Sequence, residues 1–176
     1  MQKRIIIVAG LVVLLIICVA VFSSIISNAN KGNLVQLTAV VQDQAEIVHI
    51  AALMPADAVN QSTKNVTATV TITMPSAQSQ MLSLMEKEGH KISTTVENAK
   101  ELKSTDNQIN TAIQVSQYDQ VFLGILQTQL AQYENDLKVA YAAKPNLAQA
   151  NLLKTEYNGA VLLLSMTTSA VNSLSQ

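Results

Sequence analysis

The chain has a single cysteine, Cys18, so no disulfide can form within it and its fold rests on packing. It has no tryptophan, two phenylalanines and four tyrosines, which leaves few flat faces for stacking sugars or bases. Charge of neither sign dominates. With Lys3 and Arg4 set aside, nine basic side chains stand against twelve acidic ones, and no basic stripe marks a nucleic-acid partner. A glycine-rich phosphate loop and a Cys/His cluster are both missing. Serines are plentiful, but none is set beside a histidine and an acid at a spacing that marks a nucleophile. These absences predict a protein without catalytic activity and without a cofactor.

What the chain does have is a long apolar run. Ile5 to Ile26 holds no charge and no proline. As a helix rising ~1.5 Å per residue it is about 33 Å long, enough for a hydrocarbon core of about 30 Å. Lys3 and Arg4 precede it, and after Lys31 the next basic residue is Lys64, a bias that places the N-terminus on the cytoplasmic side. The expected organisation is a cytoplasmic stub over 1–4, a transmembrane signal-anchor helix over 5–29, and an extracytoplasmic helical domain over 30–176. The bilayer is then one partner, through residues 5–26. The localisation is a single-pass cell-membrane protein with its bulk extracellular or periplasmic. The alternative is a signal peptide cleaved after Ser27-Asn28-Ala29, which releases the same domain as a secreted protein. Ile17 before Cys18 does not fit a lipoprotein site, where a small residue precedes the cysteine.

Beyond the run, apolar residues recur at helical spacing. Asn33 is a candidate cap for a first helix carrying Leu34, Leu37, Val41, Val48 and Ala51, which Pro55 ends or kinks. Asp57 is a second candidate cap. Val66, Val70, Met74, Ala77, Met81 and Leu84 form one face of a helix that stops at Gly89, with Pro75 predicting a kink near Thr71 to Met74. Within it, 66–73 alternates as a strand would, so helix and strand both stay open there. Thr94 to Glu97 has the form of a capping box and a short helix. Ile109, Ile113, Phe122, Leu126, Leu130, Tyr133, Leu137 and Ala140 line a third long helix, bent at its polar middle, 114–120. Asn146 caps a last helix with Leu147, Ala150, Leu153, Tyr157, Val161, Leu164, Val171 and Leu174 on its core face. Gly159 inside it predicts a close helix–helix approach. The fold class is all-α, a four-helix bundle behind the membrane helix.

Glu46-Ile47-Val48-His49 is a Glu-x-x-His at helical spacing, the motif that holds metals in ferritin-like bundles. Such a site needs a second motif and two more carboxylates. Glu46 and His49 are therefore candidate ligands for the alternative function, a metal-binding or redox protein; the commoner role for such a pair is a solvated helix surface.

Several short stretches carry a family likeness: Gly32-Asn33-Leu34-Val35-Gln36-Leu37, Leu53-Met54-Pro55, Glu88-Gly89-His90-Lys91, Ala143-Lys144-Pro145-Asn146-Leu147 and Tyr157-Asn158-Gly159-Ala160-Val161. With the preceding apolar segment, the chain resembles the LemA family of bacterial membrane proteins. It departs from that family at Ile50-Ala51-Ala52, where an arginine pair would stand, and at Lys144, where a tyrosine would. The resemblance implies an anchored helical bundle; the anchor, the neutral polar helices and the missing catalytic groups point to a structural or interaction module of the cell envelope with protein partners.

Overall fold

The computed structural model describes residues 33–54, 60–101, 103–114 and 116–174. Among them every regular element is helical: α1 (33–52), α2 (Gln61–Lys87), α3 (Thr94–Glu97) running into a 3-10 turn (Asn98–Lys100), α4 (Lys103–Gln114), α5 (Tyr118–Ala142) and α6 (Leu147–Ser173). The all-α expectation holds. The apolar run 5–26, Pro55 and Asp57 lie outside the described residues. No described helix is long and apolar enough to cross a membrane.

The ambiguity over 66–73 resolves as helix, within α2. Thr67, Thr69, Thr71 and Thr73 each turn their hydroxyl back to the carbonyl four residues earlier, at 2.8–2.9 Å. That local bond satisfies a polar group that would otherwise compete with the helix, so the period-two threonines are compatible with it. α2 continues through Pro75. Asn60 supplies its cap, accepting from the Ser62 N–H at 2.8 Å. The short α3 is capped one residue earlier than the expected box: Ser93 accepts from the Val96 N–H.

α2 ends on a left-handed residue, Gly89, with φ +84°. His90 N–H reaches back to Met85 O at 2.8 Å and Gly89 N–H to Glu86 O at 2.9 Å, the paired bonds that close a helix C-terminus. Space around Gly89 is open, so its constraint is conformational alone. Gly89→Ala is expected to lower stability by roughly 1 kcal/mol through this φ, read as a shift in urea midpoint at unchanged slope.

The bend expected over 114–120 is a break between α4 and α5, with Ser116 at φ 59°. On α5 the expected stripe is the buried one: Phe122, Leu126, Leu130, Tyr133, Leu137 and Ala140 all lie inside. α6 differs. Its buried positions are Gln149, Leu153, Glu156, Ala160, Leu163, Thr167 and Ala170, stepping by four and three. Leu147, Val161 and Leu162, by contrast, are exposed. The true seam includes polar residues that an apolar stripe skips. Gly159 is also on the outer side of α6, where an added Cβ would meet nothing within 4 Å, so it marks no close approach.

α1 is the inner helix. Residues 43–47 are buried in succession, which one-sided packing would not produce. Around it, α2 packs on α6, α6 on α5, and α5 on α4; Gln78 of α2 donates to Glu97 of α3 at 2.8 Å. Asn33 is itself helical, and its amide donates to Gln149 of α6. The α1 start, the α2 end and the α5–α6 turn thus share one end of the bundle.

Candidate functional site

Burying α1 on all sides places its polar residues in the core. Asp43, Gln44 and Glu46 are each at most 1% exposed. An ion inside a protein must find charge or hydrogen bonds to replace water. Asp43 finds Lys100, at the end of the 3-10 turn. The Lys100 ammonium donates to Asp43 Oδ1, to Asp136 Oδ2 of α5 at 3.1 Å and to the Ala39 carbonyl at 3.3 Å. One side chain therefore ties the α3–α4 segment to α1 and α5. Burial pushes Asp43 up to about 7 despite Lys100, and the neighbouring Asp136 carboxyl reinforces the rise. Burial also acts upward on Asp136, but bonds from Asp43 and Lys100 outweigh it and hold that carboxyl below its usual range. Burial would lower Lys100, and the two carboxylates more than reverse this. The arrangement is two carboxyls facing one ammonium.

One residue along α1, Gln44 points to a second group. Its Nε2 donates to Tyr133 Oη of α5 at 3.0 Å and to Glu156 Oε2 of α6 at 2.8 Å. Tyr133 Oη donates to the same Oε2 at 2.9 Å. Three helices meet at one carboxylate oxygen. Glu156 is 6% exposed, and burial pushes it up to about 7, with the Tyr133 and Gln44 bonds opposing the rise. Burial, aided by Glu156, likewise raises Tyr133. Glu156 and Tyr133 also form part of the lining of a groove of about 320 Å³ between α2 and α6. Small side chains open it: Ser76 and Ala77 on α2, Gly159 and Ala160 on α6.

The two residues singled out by the Glu-x-x-His spacing separate. Glu46 is 1% exposed, so this is not a solvated surface pair. His49 is partly exposed, with its Nε2 2.8 Å from Asp106 Oδ1 of α4. Among the described residues no three His, Cys, Asp or Glu side chains converge as a metal-holding set.

At the end of the bundle where α1 starts, a third polar group closes the helix termini. Asn146 caps α6 by accepting from Gln149 N–H at 3.0 Å, and Gln149 Oε1 accepts from Asn146 N–H at 3.0 Å. The amides of both then donate to Glu88, just past α2, at 2.7 and 2.6 Å. Asn146→Ala removes the cap and one bond to Glu88 and is expected to cost about 1–2 kcal/mol, checked by chemical denaturation against Gly89→Ala.

Sequence reasoning passed over Asp43, Lys100, Asp136, Tyr133 as a hydrogen-bonding group, and Glu156. The usable signal is on α6: Gln149, Glu156 and Thr167 occupy the same four-and-three register as Leu153, Ala160, Leu163 and Ala170. Comparison of the chain with protein-family models, with curated proteins and with solved structures returns no significant match.

Proposed function

We propose that this protein is a membrane-anchored, extracytoplasmic interaction module of the LemA type, a cell-envelope accessory or assembly subunit that works by binding protein partners and without catalysis. The observation that carries this reading is the make-up of the bundle end from which residue 33 leads back to the apolar run. Tyr141 is 53% and Leu147 78% exposed there. Lys138, Lys144 and Lys154 are exposed around them. Tyrosine, lysine and isolated apolar side chains are the residue types that settle at a lipid headgroup boundary. The core groups fit a scaffold as well: Lys100, Asp43, Asp136, Gln44, Tyr133 and Glu156 bond across helices to one another.

The test is membrane extraction combined with protease accessibility and crosslinking in native membranes. The expected result is a chain that resists carbonate, is cut from the outer side, and crosslinks to specific envelope proteins. Release of a shortened chain into the medium would establish cleavage near Ala29 and the secreted alternative. Protection from external protease would overturn the orientation.

A further inference from the structure

We propose that the groove between α2 and α6 is a binding site for a small apolar amine, whose protonated nitrogen is held by the Glu156 carboxyl while its hydrocarbon part lies along Leu152, Leu163, Met74 and Ile72. This goes beyond the anchored-module reading and does not depend on it.

Two features of the carboxylate point to the ligand. Its two oxygens are used unequally. Oε2 accepts from both Tyr133 and Gln44, while Oε1 is buried and has no hydrogen-bond donor. A buried acceptor left without a donor costs about 1–3 kcal/mol, and more when charged. Moreover, the groups that hold Glu156 are neutral, an amide and a phenol, whereas its neighbour Asp43 has an ammonium. The site supplies hydrogen bonds without a countercharge. A ligand that brings an N–H donor and a positive charge provides both missing elements.

The groove supplies the rest. At about 320 Å³ it is of the size of a small-molecule site. Its walls are mostly apolar, and among the described residues that line it Glu156 is the only acidic or basic side chain. The space at Gly159 is open, since an added Cβ there meets nothing within 4 Å. An apolar body with a single cationic end matches a groove with a single acidic end. A carboxylic acid of the same size would set two acids against each other, and an alcohol would offer a donor without charge.

The test uses the full chain in zwitterionic nanodiscs with the methionine methyls labelled with ¹³C, and n-hexylamine as the probe, with hexanoate and hexanol as controls. Met74 is 2% exposed and lines the groove, so its methyl signal reports occupancy. Hexylamine is expected to shift it saturably. Glu156→Gln should weaken binding at least tenfold. Gly159→Leu, which leaves the carboxylate in place and fills the groove, should abolish it. A non-saturable response to hexylamine, equal binding of hexanoate, or wild-type affinity in either variant would overturn the proposal.

Discussion

Lys100→Met is expected to destabilise the protein by about 2–3 kcal/mol at neutral pH. Methionine keeps the packing of the aliphatic stem and removes only the ammonium, so the loss reports the charge. Asp43 and Asp136 then face each other with nothing positive between them. Breaking a buried pair from one side is costly because it strands the other charge. Two facts keep the loss below the upper end for such pairs: the Lys100 side chain is 33% exposed, and Asp43, already raised to about 7, can take up a proton. That second route makes the loss pH-dependent. Without Lys100 the folded-state pKa of Asp43 rises further, so the stability it contributes is present in acid and lost as pH climbs through the new value. The penalty should therefore be larger at pH 8 than at pH 5. Adding Asp43→Asn replaces the proton donor with an amide and should restore at least half of the loss at pH 8. Urea denaturation of both variants measures this. A single-variant loss under ~0.5 kcal/mol, within the range of a surface pair, would show that the bridge is not a structural tie.

How far the sequence reveals this arrangement depends on the helix. α5 was legible because every buried position from Phe122 to Ala140 in its stripe is apolar or tyrosine. α6 was not, because its seam runs through Gln149, Glu156 and Thr167. Those residues are inside because partners far away in sequence meet them there: Gln44 is 112 residues from Glu156. A local apolar count has no means of registering such a partner. α1 misleads for a related reason. Its Asp43, Gln44 and Glu46 read as a solvent face, yet a helix surrounded on all sides has none at that level. The Glu-x-x-His spacing singles out Glu46 and His49 on this helix and passes over the residue between Asp43 and Ala45. Gln44, between Asp43 and Glu46, makes the contact to the carboxylate that lines the groove.

Raising the pH from 5 to 8 is expected to lower the stability of the folded protein, and Glu156 supplies a large part of the change. Its ordinary value is 4.5 and its folded value is about 7. A carboxyl raised on folding binds a proton more tightly in the native state. Its contribution is complete below about pH 4.5, declines through the interval, and is gone above about 7. At ~1.4 kcal/mol per unit, the interval corresponds to about 3 kcal/mol. Asp43, raised from 3.8 to about 7, acts in the same direction. Asp136, held low, acts in the opposite sense and matters only in stronger acid. Glu156→Gln isolates the larger claim. The carboxamide oxygen still accepts from Tyr133 and Gln44, but the group cannot ionise. The variant should match the parent near pH 5 and exceed it by roughly 1–2 kcal/mol at pH 8, with a shallower slope between. Urea midpoints across the range decide the matter. A flat parent profile, or a variant weaker than the parent at pH 8, would mean that Glu156 is stabilised as an anion in the folded state. Uncompensated burial is also what gives the amine site its selectivity: a carboxylate that loses stability on ionising gains most from a cation. Hexylamine should accordingly raise the parent's urea midpoint more at pH 8 than at pH 5, and leave that of Glu156→Gln nearly unchanged.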